Sequence, residues 1–203
     1  VPGAALALSG DVGDAAVVTR QAEEIMARFG RIDGLVTCAG FSNGKTVPDC
    51  PLDEWEAVLR TNVTGTFLWA KAAVGAMRAG GQGGAIVMVG SQLAFAGGRG
   101  NAAYLTSKGA VTSLARTMAV DHAAEGIRVN LLVPGAIDTP LLRRAFDRAP
   151  DPKAAKARSV ARHPLGRLGK AEEMARAVAF LLSDAASFTT GSSLVADGGW
   201  LAG

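Results

Sequence analysis

Residues 85–108 read AIVMVGSQLAFAGGRGNAAYLTSK, and the change of pattern inside this stretch decides the fold. Ala85 to Val89 is an unbroken apolar run, as expected of a strand buried on both faces. A polar, glycine-rich turn follows it. From Ala102 the pattern becomes that of a long amphipathic helix running to Ala123. The same succession recurs on either side. Upstream, Asp14 caps a helix that carries Ala22, Ile25, Met26 and Phe29 on one face and stops at Gly30. Gly34 to Ala39 reads as a buried strand, and Leu52 to Ala79 as helix with a break near Asn62–Gly65. Downstream, Ile127 to Val133 is a strand stopped by Pro134–Gly135. Leu141 to Arg167 is polar and basic with one or two short helices. Ala171 to Ser183 is a helix and Ser193 to Ala196 a last short strand. Ala4 to Ser9 is apolar and is expected to be one more buried strand.

Strands alternating with helices predict an α/β protein with a parallel sheet covered on both faces. Ligands bind such sheets outside the carboxyl ends of the strands. Asp11, Gly40, Ser91 and Pro134 all fall at those ends. No internal repeat or linker interrupts the pattern, so residues 1–203 are expected to form one domain.

Composition narrows the function. Hydrophobic residues make up 49% of the 203 and charged residues 19%, which a disordered chain would not show. Net charge is +3, but basic residues cluster only between Arg143 and Arg167 and just 5% of residues are aromatic. A nucleic-acid binder would carry a basic stripe with aromatics, so no nucleic-acid partner is expected. No apolar run reaches the roughly 18 residues of a membrane span, and no signal peptide is visible. Cys38 lies in an apolar run and is expected to be a small core residue. Neither Cys38 nor Cys50 forms a metal-ligand spacing with His122 or His163, so no metal is expected and a reducing cytoplasm fits best.

Tyr104 and Lys108 lie four apart on the helix and share one face. A tyrosine near its ordinary pKa is a poor acid or base at neutral pH, and a nearby ammonium lowers that pKa. An amphipathic helix surface shows the same pair without any chemistry. Two facts add weight: Tyr104 is the only tyrosine, and Ser91, thirteen residues before it, ends a strand where its hydroxyl can polarise a carbonyl.

Ser91 followed by Tyr104-Leu-Thr-Ser-Lys108 resembles the catalytic signature of the short-chain dehydrogenases/reductases. The resemblance runs along nearly the whole chain. Asp11–Val12 matches the family's adenine-contacting segment. Thr37-Cys38-Ala39-Gly40 stands where the family has Asn-Asn-Ala-Gly; both asparagines are replaced, while Ala39–Gly40 keeps the close backbone approach. Asn62, otherwise readable as a helix-break asparagine, matches the family's fourth catalytic residue, which holds a water in a proton relay. Pro134-Gly135-Ala136-Ile137-Asp138-Thr139 is similar to the nicotinamide-carboxamide segment, Ile137 through backbone groups and Thr139 through its hydroxyl. Without the family it is a strand-ending turn and a helix start. The closing Asp197-Gly198-Gly199 also matches.

The resemblance implies a Rossmann-like, doubly wound, three-layer α/β/α fold and an NAD- or NADP-dependent oxidoreductase. Tyr104 would move the proton as an alcohol and ketone interconvert. Lys108 would lower its pKa and hold the nicotinamide ribose, Ser91 would orient the carbonyl, and Asn62 would connect Lys108 to solvent. The spacing of four disfavours the enoyl-reductase relatives. Arg143 to Arg167 stands where the family has its substrate lid; Phe41, Gln92, Leu93, Phe95 and Leu141 are candidate pocket residues for a small alcohol or ketone. A dimer or tetramer built on the two long helices is implied as well.

The family opens with Thr-Gly-x-x-x-Gly-x-Gly between a strand and a helix, which places backbone N–H groups on a pyrophosphate. These 203 residues contain no such segment, so the first βαβ unit is expected to be lacking. Two readings follow: a cofactor-dependent dehydrogenase, or a catalytically inactive scaffold that acts by association. Ala4–Ser9 would then either pair with Gly34–Ala39 or hang loose beside a bare sheet edge.

Overall fold

The computed structural model describes residues 5–203. Asp14 opens α1 (Ala15–Phe29), its carboxylate accepting the N–H groups of Ala16 and Val17, and Gly30 ends it in the left-handed conformation. Then come β1 (Gly34–Thr37), α2 (Leu52–Leu59), a π-turn over Arg60–Thr64, α3 (Gly65–Gly80) and β2 (Gly84–Val89). The chain continues through α4 (Ala102–Asp121), β3 (Ile127–Pro134), α5 (Pro140–Asp147), α6 (Pro152–Ala161), α7 (Ala171–Leu182) and β4 (Ser193–Ala196). The expected helix break at Asn62–Gly65 is this π-turn, where one extra residue per turn frees main-chain groups without ending the helix.

The four strands are all parallel and lie in the order β1-β2-β3-β4. Side chains alternate across the sheet, as the pleat demands. Ile86 and Met88 of β2, with Val129, Leu131 and Val133 of β3, pack against α3 and α4 through Ala70, Ala73, Val74, Met77, Val111 and Ala115. Val87 and Leu132 face the other way, onto Leu181, Met174 and Val178 of α7. Small residues on α3 and α4 let those helices approach the sheet closely.

This arrangement has a consequence for handedness. Each strand steps to the next in the same direction, yet α3 and α4 cover one face and α7 the other. The β3–α7–β4 crossover therefore has the opposite hand to the first two, against the usual uniformity of such connections. Two side chains on the α7 face of β3 hold it. Arg128 donates to the carbonyls of Leu181, Leu182, Ser183 and Thr189, and so caps the end of α7. Asn130 donates to Thr189 O and accepts from Ser192 N.

Two expectations fail. Ala4 lies outside the described residues, and Ala5–Ser9 is not a strand. It runs beside α1 instead, with Gln21 Nε2 donating to Ser9 O and Ala5, Ala7 and Ser9 exposed. Pairing between this segment and β1 is thus ruled out, and the outer edge of β1 has no partner among the described residues. Cys38 is exposed rather than in the core, because it sits one residue beyond β1 on that open edge.

Replacing Arg128 by Met removes the clamp while keeping the aliphatic stem. The variant is expected to lose about 2 kcal/mol or more of unfolding free energy in urea titration. An unchanged midpoint would contradict the clamp.

Candidate active site

The carboxyl ends of β1, β2 and β3 lie side by side, so the turns after them share one end of the sheet. Ser91 follows β2 directly. It is 7% exposed, and its hydroxyl accepts the N–H of Leu93 to close a short helical turn over Gln92–Ala94. Tyr104 and Lys108 come from the first two turns of α4, whose start is fixed by Ala102 N donating to Lys45 O.

Lys108 is 6% exposed, and its ammonium donates to Val89 O at 2.8 Å. That carbonyl ends β2 immediately before the Ser91 turn. An ammonium has three protons, so two are left for other acceptors. Nζ also stands over the Tyr104 ring, 5.6 Å from its centroid. Burial pushes the Lys108 pKa down to about 8, with a small opposing effect of Cys38.

The expected lowering of the tyrosine pKa is not present. Burial pushes the Tyr104 phenol above its ordinary value, and the Ser91 hydroxyl draws back only part of that rise. The reason is where the charge sits: it lies over the ring face and is committed to Val89 O, so desolvation dominates.

Asn62 is 1% exposed. Its Oδ1 accepts the N–H of Phe41, and its Nδ2 donates to Phe41 O and to Ser107 Oγ, all at 3.0 Å. Ser107 passes the connection on by donating to Tyr104 O at 2.7 Å. The side chain of Asn62 is therefore a brace between the loop after β1 and the helix of Tyr104. Its main-chain carbonyl, within the π-turn, accepts the Thr66 hydroxyl. A Cβ at Gly40 would stand 3.1 Å from Asn62 Oδ1, so a side chain there would press on the amide. Thr37, in place of the first asparagine of the resembled motif, has a buried hydroxyl with no partner.

Asp11 is exposed, turning its carboxylate onto Gly13 N at 2.8 Å, with Arg60 3.8 Å away. Val12 lines a cavity of about 270 Å³ together with Leu35, Thr37, Cys38, Ala39 and Trp69, on the open edge of β1. The structure so brings Asp11–Val12 beside Ala39–Gly40.

After β3, Gly135 passes so close to Asp197 that a Cβ would stand 2.7 Å from its Cα. Ala136 O and Asp138 N both bond Gly169, and Thr139 donates to Ile137 O while capping α5. Ala136 N donates to Nε2 of His163, whose Nδ1 lies 2.6 Å from Ser159 O. Both ring nitrogens are thus engaged by main-chain groups. It is 4% exposed and ties the Pro134–Thr139 segment to the end of α6. Sequence reasoning missed it; a histidine before Pro-Leu-Gly in a polar stretch is no signal of burial.

Among the described residues, no helix is long and apolar enough to cross a membrane.

A family model described as enoyl-(acyl carrier protein) reductase matches residues 2–201. The chain is 42% identical over 197 residues to the cis-4-hydroxycyclohexanecarboxylate dehydrogenase of Sinomonas cyclohexanicum, covering 95% of this chain and 75% of that protein. It is 38% identical over 200 residues to a protein of Xanthobacter autotrophicus named inactive 2-(S)-hydroxypropyl-CoM dehydrogenase 2, with 98% and 86% covered. The crystal structure of a short-chain type dehydrogenase/reductase from Mycobacterium marinum superposes with a TM-score of 0.91 at 36% identity, covering 98% of this chain and 76% of that one. A gluconate 5-dehydrogenase from Burkholderia cenocepacia, solved with NADP and tartrate, gives 0.89 at 34%, with 96% and 74% covered.

The buried Lys108 ammonium makes a pH prediction. Its pKa in the folded chain, about 8, lies below its ordinary 10.5. Between these values the unfolded chain binds the extra proton, so stability rises with pH through the window. From pH 7 to pH 10, wild type should gain about 2 kcal/mol more unfolding free energy in urea than Lys108→Met. Parallel pH profiles would refute the buried charge.

Proposed function

The chain belongs to the short-chain dehydrogenase/reductase family and is an NAD(P)-dependent oxidoreductase; from that premise we propose that it interconverts a secondary alcohol and a ketone, with Tyr104 as the general acid and base. The observation that carries this is the convergence of Ser91, Tyr104 and Lys108 at one sheet end, with Lys108 fixed on Val89 O. Two of the relatives are named as dehydrogenases of hydroxyl-bearing compounds, cis-4-hydroxycyclohexanecarboxylate and gluconate, and the Tyr–Lys spacing of four speaks for the same chemistry against enoyl reduction.

The residues fit the nicotinamide end of the cofactor. Two uncommitted Lys108 protons suit ribose hydroxyls, and the Ile137 and Thr139 turn suits a carboxamide. Asp11 and Val12, beside Ala39 and Gly40, suit the adenosine end. No glycine loop for the pyrophosphate occurs in these 203 residues. When bound, the cofactor supplies or takes the hydride.

The protein's part is the proton. Ser91 donates a hydrogen bond to the carbonyl oxygen and sets its direction toward Tyr104. Tyr104, held protonated by burial, gives its proton to that oxygen in reduction and takes it back in oxidation. Lys108 keeps a positive charge beside the ring as the phenolate forms. Asn62, whose main-chain carbonyl in the π-turn has a second lone pair beside the one that takes the Thr66 hydroxyl, holds a water that passes protons on from Lys108. A homo-oligomer through α3 and α4 belongs to the same reading, supported by the exposed apolar side chains of Phe67 and Val120.

A second reading is a catalytically inactive scaffold, favoured by the relative named inactive, of which the chain covers the larger share. Turnover separates the two. Tyr104→Phe should lower kcat by at least about 10³-fold while leaving the circular dichroism spectrum and Tm unchanged. Wild-type turnover in that variant would exclude the proton role, and no turnover in wild type with either nicotinamide cofactor would favour the scaffold.

A further inference from the structure

We propose that the cavity between the Ser91 turn, the end of α6 and the C-terminal residues is an anion subsite, holding a carboxylate or similar oxyanion carried by the substrate. This rests on the alcohol–ketone reading and adds the substrate's second functional group. The cavity measures about 550 Å³ and is lined by Phe95, Ala96, Arg162, Trp200, Leu201 and Gly203. That volume is in the range of small-molecule sites. Phe95 and Ala96 continue the short turn that Ser91 begins, so the cavity adjoins the catalytic end of β2.

Arg162 is the one charged side chain of the lining. Its guanidinium stacks over the Trp200 ring at 4.7 Å from the centroid. A guanidinium lying over an aromatic ring without an acid partner keeps N–H groups available, and a carboxylate can accept two of them at once. Among the described residues, Arg162 has no Asp or Glu within 4.0 Å to occupy it. Arg158, one turn earlier on α6, is basic, and both nitrogens of His163 are committed to Ala136 and Ser159. Trp200 is 9% exposed and, with Phe95 and Leu201, supplies an apolar wall for the hydrocarbon body between the two polar ends. A cation on an aromatic plate, beside a cavity and with no Asp or Glu within 4.0 Å, is a site for an external acid.

Binding tests this without turnover. Cyclohexanecarboxylate and cyclohexanemethanol share a ring and differ in charge. Each is titrated into wild type and Arg162→Met by calorimetry and ligand-observed NMR. Wild type should bind the carboxylate saturably and at least about tenfold tighter than the alcohol. Arg162→Met, which keeps the stem over Trp200, should lose that preference. Arg162→Lys, which keeps the charge without the fork, should retain part of it. Absence of saturable carboxylate binding to wild type overturns the proposal, and so does a preference that survives in Arg162→Met. Because no hydride transfer is measured, failure of the catalytic reading leaves this result intact, and failure here leaves the Tyr104 test intact.

Discussion

Much of the site hangs on the side chain of Asn62. It is buried, and it cannot stay so without partners, since an unpaired amide in the interior costs on the order of 1–3 kcal/mol. It finds them in Phe41 and Ser107, on segments far apart in sequence. Satisfying one amide therefore sets the distance between the loop after β1 and the helix that bears Tyr104. The π-turn is the local adjustment that lets Asn62 reach inward while α2 and α3 continue as helices on either side. Gly40 is the matching concession from the loop, because any side chain there would press on the amide. Three features that look separate along the chain are thus one constraint.

The sheet shows the same economy. Arg128 and Asn130 occupy the α7 face of β3, where Leu132 alone packs as core. Placing an arginine there costs packing, but it caps the end of α7 and steadies a crossover of unusual hand. Lys108 is the opposite case. Its burial opposes folding by about 3 kcal/mol at neutral pH, reckoned from its lowered pKa. Nothing in the core requires an ammonium at that place. A destabilising charge held by a single carbonyl is what a site of proton chemistry requires, and stability elsewhere carries it.

Most elements were legible because their signals are local. The Asp14 cap, the Gly30 stop and the β2 run each depend on residues within one turn or one strand. Tyr104 and Lys108 were legible because helical spacing places them on one face whatever surrounds them. Ala5–Ser9 was misread because an apolar run states a preference for burial, not the presence of a neighbour to pair with. Cys38 failed for the same reason: its run is apolar, but the edge beside it is open. His163, Arg128 and the Asn62 brace were not legible at all. Each acts across 20 to 60 residues of chain, through backbone groups that carry no sequence mark.

The direction of the tyrosine shift sharpens the chemistry that family resemblance suggests. With the phenol held above its ordinary value and the ammonium drawn down to about 8, burial favours the neutral form of both groups. At neutral pH the resting pair is therefore a protonated phenol beside a charged lysine, a state ready to give a proton. Taking a proton is the harder direction, because a phenolate must form in a dry site. The Lys108 charge can favour it only by moving from Val89 O and the ring face toward the oxygen. Such a move would involve one side chain alone, because the backbone of α4 is braced through Ser107 to Asn62. Under the proposed function, the acid and base roles of Tyr104 then differ by the position of a single ammonium, not by any rearrangement of the fold.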